Sequence, residues 1–285
     1  MGKTTLICNV ASYIATYKNL RVLLVDADPQ CNSTQLILPE QNLESLYQPR
    51  RRAHGTTQER SLQGAVSLYD VLEPIAKGDI KVATKVNPLL GSSNRFRIDL
   101  VPGHPRVALL EDQLSQAWVN FGGGDVGGAR RTNWNSQLLM LLEGRYDLVF
   151  FDVGPSLGAL NRSVLIGIDY FITPMGCDIF SMAGVDNISS WLKDWLKWYA
   201  KSLESCRDKW GDFEEGVVRE DASVIARFIG YTVQQYITKS IQGERRATKA
   251  YEKILKKIPE AISRELGPYV SEAIRKAMLP CFSGT

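Results

Sequence analysis

Along its first two dozen residues the chain changes period once. Leu6, Ile7, Val10, Ala11, Ile14 and Ala15 recur at helical spacing, which predicts a helix over residues 4–18. Val22 to Val25 then run without a break into Asp26-Ala27-Asp28. A short continuous apolar run that ends in polar residues is how a strand buried on both faces of a parallel sheet reads. The alternation continues. "SLYDVLEPIAKG" (67–78) predicts a short helix, "FRIDLVPG" (96–103) a strand, and "ALLEDQLSQAW" the helix behind it. "FGGGDVGGARRTN" reads as a flexible glycine-rich loop at about 121–132. "WNSQLLMLLEG" (134–144) is helical, while "YDLVFFDVGPS" (146–156) and "DYFITPMG" (169–176) are further buried strands. "DNISSWLKDWLKWYAKSLESC" (186–206) is a long amphipathic helix. "SVIARFIGYTVQQY" (223–236) is strand-like in its second half, and residues 240–279 are mostly helical. Strands alternating with helices along all 285 residues predict a single α/β domain, one open and mostly parallel sheet with helices on both faces.

Composition narrows the setting without choosing a chemistry. Charged residues make up 23% and the net charge is +3, so bulk charge does not argue for nucleic acid and any basic surface is local. The five cysteines, Cys8, Cys31, Cys177, Cys206 and Cys281, are scattered and form no C-x-x-C. That fits a reducing compartment and argues against a disulfide framework or an iron–sulfur cluster. His54 and His104 stand far apart, which argues against a zinc site. No secretory leader is legible, and no stretch approaches about 18 uninterrupted apolar residues, so the expectation is a cytoplasmic protein with no membrane span.

Three fragments carry chemistry. Gly2-Lys3-Thr4-Thr5 matches the tail of a phosphate-binding loop, whose amides cradle phosphates, whose lysine reaches the β- and γ-phosphates and whose first hydroxyl meets Mg²⁺. It leads straight into a helical pattern, where phosphate belongs. Asp26 and Asp28 end a buried strand, at the edge where parallel sheets bind ligands. Asp152 ends another and has the form of a carboxylate that holds Mg²⁺ through water. Each fragment alone has an ordinary reading as a polar terminus or a solvated turn.

Taken in order, the G-K-T-T start, the strand with D-x-D-P-Q and the strand with D-x-x-P-S-L resemble the ParA/MinD group of deviant Walker ATPases, most of all the ParA-type partition ATPases. "RVLLVDADPQCNST" is similar to the family's second signature. "SLYDVL", "IDLVPGHPRVALLEDQL" and "YDLVFFDVGPSLGALNRSVL" resemble successive family segments, over about residues 1–190. The resemblance implies a P-loop NTPase-like fold and ATP with Mg²⁺ as cofactors. It places Gly2 and Lys3 at the phosphates, Thr4 on Mg²⁺ and Thr5 on the α-phosphate. It gives Asp28 the attacking water, Asp26 a supporting place near the metal, Asp152 the metal through water, and Gln234 or Gln235 a place near the adenine. It further implies hydrolysis of ATP to ADP and phosphate, an ATP-dependent homodimer on non-specific DNA, and a ParB-like stimulating partner. The outcome would be partition of a plasmid or chromosome by a nucleoid-associated cytoplasmic protein.

There are departures. The family's loop reads K-G-G-x-G-K-T-T after a first, central strand, and only G-K-T-T stands here. The expectation is therefore a chain truncated at its N-terminus and, past "LPCFSGT", at its C-terminus, with the first strand and the lysine that crosses the dimer lying upstream of Met1. The alternative is a catalytically inactive or truncated interaction protein on the same fold.

Other features are weighed beside these. Lys239, Arg245, Arg246, Lys249 and Lys253, with Lys256 and Lys257, form a basic segment expected on a helix, which fits DNA phosphates or a plain solvated face. Arg50-Arg51-Arg52 reads as a loop. Trp191, Trp195 and Trp198 share one helix face, expected in the core, with a partner surface as the sharper reading. The terminal "AMLPCFSGT" is not basic, so no membrane partner is expected.

Overall fold

The computed structural model describes residues 2–47, 64–234, 238–241, 244–247 and 249–270. The chain opens with α1 (Lys3–Tyr17), β1 (Val22–Asp26), α2 (Asn32–Ile37), α3 (Glu40–Tyr47) and α4 (Leu68–Ala76). There follow β2 (Asp99–Val101), α5 (Glu111–Gly122), α6 (Val126–Thr132), α7 (Trp134–Leu141), β3 (Leu148–Asp152) and α8 (Ala159–Gly167). The last third holds β4 (Tyr170–Met175), α9 (Ile179–Trp210), β5 (Arg227–Val233), β6 (Thr238–Ile241), β7 (Glu244–Ala247) and α10 (Lys249–Glu265). These fall into two compact units, one of Thr4–Gly167 with Lys201–Glu220, the other of the chain start, Ile168–Ala200 and the described residues from Asp221 on.

The first unit is organised by β1, which lies between β2 and β3 in a parallel sheet. All five of its residues are buried. Each buried leucine there contributes about 2 kcal/mol by leaving water. One face of the strand packs Val22 and Leu24 with Cys8 and Ala11 of α1 and with Ile37 and Leu100. Only β1 meets the expectation of a strand buried on both faces. Among the described residues β3 pairs with β1 alone, and its Leu148 is 38% exposed. Around the sheet, the Trp118 indole of α5 donates to Ser163 Oγ of α8 at 3.2 Å, and the Trp134 ring of α7 lies 6.2 Å from that of Phe151. At α4, Ser67 and Asp70 close the capping box that "SLYD" spells: the Asp70 amide donates to Ser67 Oγ and the Ser67 amide to Asp70 Oδ2.

The glycine-rich stretch corrects the expectation of a flexible loop. α5 runs to Gly122, a short turn follows, and Asp125 Oδ2 accepts from the Gly128 amide to start α6. A Cβ on Gly128 would stand 2.6 Å from the Ala117 carbonyl oxygen, so the glycine there lets α6 close on α5. Glycine serves helix contact here, which composition alone does not distinguish from looseness.

In the second unit β4 and β5 pair in parallel, from Tyr170 opposite Arg227 to Met175 opposite Val233. β4 also departs from the buried-strand expectation, with Tyr170 46% and Ile172 41% exposed. Met175, Val185 and Phe228 pack with Ile258, Ile262 and Leu266 from α10 and the turn after it. The basic segment is not one helix. Lys239, Arg245 and Arg246 lie on an antiparallel hairpin of β6 and β7, and only Lys249, Lys253, Lys256 and Lys257 lie on α10. A polar four-residue strand has no apolar period to announce it. In α9 the buried line is Leu192, Tyr199, Leu203 and Cys206, while Trp191, Trp195 and Trp198 are half-buried and stack on one another at 6.1 and 5.1 Å. The tryptophan face is thus turned slightly off the core. Arg50-Arg51-Arg52 and Gln235 lie outside the described residues.

Candidate functional site

The carboxyl ends of β1 and β3 meet the start of α1 and the whole of α2. Parallel register sets Asp26 opposite Asp152, and both side chains are buried. Thr4, in the first turn of α1, donates from Oγ1 to Asp152 Oδ2 at 2.8 Å. Four residues on, Cys8 lies on the same face of the helix and its thiol donates to Ser33 Oγ at 3.6 Å. Ser33 in turn donates to the same Asp152 Oδ2 at 2.5 Å. The neighbouring Thr34 serves the other aspartate: its amide and its hydroxyl donate to Asp26 Oδ2 at 2.8 and 2.6 Å. Thr34 Oγ1 also accepts from the Gly103 amide at 2.8 Å, which brings the turn after β2 into the same network.

Asp28 sits where the chain leaves β1. Its Oδ1 accepts from the Gln30 amide at 2.9 Å and its Oδ2 from Asn32 Nδ2 at 3.1 Å, so the Asp-Pro-Gln turn is closed by the aspartate itself. Gly154, just past β3, comes close: a Cβ there would lie 3.2 Å from Asp28 Oδ1. Asn161 Nδ2 donates to the carbonyls of Gly154 and Ser156 at 2.9 and 2.7 Å and so holds that loop from α8. Glu111 accepts from the amides of Ala159 and Leu160 and anchors the start of the same helix.

Charge in this pocket is tuned by burial. Burial pushes Asp26 up to about 7, the bonds from Thr34 pull it back in part, and the Asp152 charge raises it further. Burial likewise pushes the Cys8 thiol up to about 11 and Cys31 up to about 12. Two register-paired carboxylates with a threonine hydroxyl among them form a hard oxygen set, which suits Mg²⁺. Among the described residues no three His, Cys, Asp or Glu side chains cluster closely enough to cage a metal alone.

The sequence-derived residues fall as follows. Thr4, Asp26, Asp28 and Asp152 come together within the first unit. Lys3 opens α1 directly before Thr4, and Thr5 is exposed, its carbonyl accepting from Asn9 Nδ2 at 2.7 Å. Gly2, at φ +85, lies against Gln234: a Cβ on it would stand 2.8 Å from Gln234 Oε1. Lys239, Arg245, Arg246, Lys249 and Lys253 belong to the second unit, and the Lys253 side chain is exposed. Sequence reasoning missed Cys8, Ser33, Thr34 and Asn161. Their signal is faint: "NST" after Pro29 reads as a polar turn, and nothing in it says that Ser33 and Thr34 are fully buried.

Comparison with known proteins follows this geometry. The family model described as an AAA domain matches residues 1–205. A virulence plasmid ParA family protein, pGP5-D of Chlamydia psittaci, is 27% identical over 187 residues, covering 66% of this chain and 57% of its own. The chain spans about half the length of the curated relatives it matches. The crystal structure of protein DIP2308 from Corynebacterium diphtheriae superposes with a TM-score of 0.78 at 34% identity, over 95% of this chain and 85% of that one. The structure of the pNOB8 ParA bound to nonspecific DNA, at TM-score 0.50 and 19% identity over 95% of this chain and 75% of that one, shares the fold. Among the described residues no helix is long and apolar enough to cross a membrane. The chain belongs to the AAA-domain family and is similar to ParA family proteins.

Proposed function

We infer that this chain binds ATP with Mg²⁺ and hydrolyses it to ADP and phosphate, and that nucleotide state controls a homodimer that holds DNA without reading its sequence. The observation that carries the reading is the 2.8 Å bond from Thr4 Oγ1 to Asp152 Oδ2, which joins the phosphate-loop helix to the strand-end carboxylate. In this reading Gly2, Lys3 and Thr5 engage the phosphates, with the Lys3 ammonium on the β- and γ-phosphates. Thr4 and Asp152 hold Mg²⁺, Thr4 directly and Asp152 through water. Held there, the ion would offset the negative charge of the phosphates. Asp28, pinned by Gln30 and Asn32, accepts from the attacking water, and Asp26 supports it from the strand. Gln234 lies near the adenine.

DNA contact is assigned to Lys239, Arg245, Arg246, Lys249 and Lys253. The succession of these basic residues along the hairpin of β6 and β7 and the start of α10 supports it, because clustered cations suit a phosphate backbone. A ParB-like partner stimulates hydrolysis, and the cycle of binding and release partitions a plasmid or chromosome in the nucleoid. The test is Lys3→Ala, read by ATP binding and by retention on DNA. Loss of both is expected. If both persist unchanged, the chain is an interaction protein on this fold and the ATPase reading fails.

A further inference from the structure

Consecutive residues of α2 each serve one of the two register-paired aspartates. Thr34 holds Asp26 through hydroxyl and amide, and Ser33 holds Asp152 through its hydroxyl at 2.5 Å. Ser33 and Thr34 are both fully buried, so these bonds exchange with no solvent. The sense of the Ser33 bond is fixed. The Cys8 thiol donates into the Ser33 oxygen, and the serine hydroxyl donates to Asp152. Thr4 donates to that same Asp152 oxygen. A carboxyl group that accepts two hydrogen bonds at one oxygen has its rotation set.

We propose that Ser33 is a positioning residue for the metal: oriented by Cys8, its hydroxyl keeps the Asp152 carboxyl group turned so that Thr4 and Asp152 serve one Mg²⁺ together. The proposal rests on the ATP·Mg²⁺ reading above. Ser33 touches neither nucleotide nor metal in it; it acts through Asp152. Groups that orient a metal-holding side chain change metal affinity by about 10–100-fold when removed.

The experiment is a Mg²⁺ titration of fluorescent-ATP binding to the full chain, with the same binding measured in EDTA and the thermal midpoint measured without metal. Ser33→Ala is expected to raise the Mg²⁺ concentration for half-maximal binding by about 10-fold or more, while binding in EDTA stays within about twofold of wild type. Ser33→Thr, which keeps the hydroxyl, brings the Mg²⁺ midpoint back toward the wild-type value. A merely structural serine would lower the thermal midpoint and weaken binding with and without metal alike, and that result overturns the proposal. Should Ser33→Ala not fold, Cys8→Ala carries the test, because it frees the serine hydroxyl to turn. A rise of about twofold or more in its Mg²⁺ midpoint supports the proposal, and an unmoved midpoint overturns it. Wild type that binds no nucleotide under any condition overturns the ATPase reading and this one with it. Wild type that responds to Mg²⁺ beside an unresponsive Ser33→Ala overturns this one alone.

Discussion

The same two strands carry an aspartate at each end of their pairing, and the two ends are built oppositely. Ahead of β3, Asp147 takes the Arg21 amide and guanidinium, with bonds of 2.7 Å to each of its oxygens. The guanidinium holds Asp147 down to about 2, although the pair lies in solvent. At the carboxyl end Asp26 faces Asp152, both buried, and the groups bonded to Asp26 are hydroxyl and amides rather than a cation. Asp26 is pushed up to about 7 by that burial. The amino end is thus settled within the fold, while the carboxyl end crowds two buried carboxyl groups, of which Asp26 is costly to ionise. Fold stability and ligand chemistry are separated along a single strand pair, and active sites hold charge in this uneasy form more often than scaffolds do.

The largest expected break in that comparison is Asp152→Asn. Mg²⁺-dependent ATP hydrolysis should fall by about 100-fold or more, the size found when one group aimed at developing charge is removed. Metal-free stability should change little, because the substitution also removes the charge that raises Asp26. Steady-state hydrolysis and thermal melts in EDTA check both halves. A loss of stability in proportion to activity would make the carboxyl end a scaffold like the amino end.

The next effect is on pH dependence. Asp26 holds its proton in the folded chain up to about 7, whereas the unfolded chain loses it near the ordinary carboxyl value of 3.8. Between those two values the folded state binds the extra proton, so stability is highest at the acid side and declines as pH rises. The decline is on the order of 2–4 kcal/mol. Melting curves from pH 4 to 8 should show it, Asp26→Asn should flatten it, and Mg²⁺ with nucleotide should offset it by mass action. A wild-type curve with no decline across that window would mean that Asp26 is charged at no cost.

How much of this was legible beforehand depends on what each residue's neighbours say. Asp26, Asp28 and Asp152 stand out because unbroken apolar runs lead into them, so their place at strand ends follows from the period alone. The partnership of Asp26 with Asp152 does not, since it depends on register between strands far apart in sequence. Ser33 and Thr34 were hidden for a related reason: a polar triplet after a proline looks solvated, and only tertiary packing buries it. In sequence Cys8 is one of five scattered thiols, and its donor role appears only when α1 is laid beside α2. The hairpin at β6 and β7 and the helix at α6 are not legible in sequence, because strongly polar or glycine-rich segments carry no hydrophobic period.

The smallest effect belongs to the amino end and sharpens the contrast by its sign. Asp147 is depressed in the folded chain, so its contribution is present above the ordinary carboxyl value of 3.8 and is lost as pH falls toward about 2. This is the reverse of the Asp26 limb. Asp147→Asn should therefore leave stability at pH 7 nearly unchanged, remove part of the acid limb below pH 4, and leave Mg²⁺-dependent nucleotide binding as it was. Because Arg21 is 57% exposed, added salt should shrink the difference from wild type. Acid titrations of both proteins at low and high ionic strength make the check. If Asp147→Asn instead alters nucleotide binding at neutral pH, the two ends of the strand pair are coupled, and the division of labour between them does not hold.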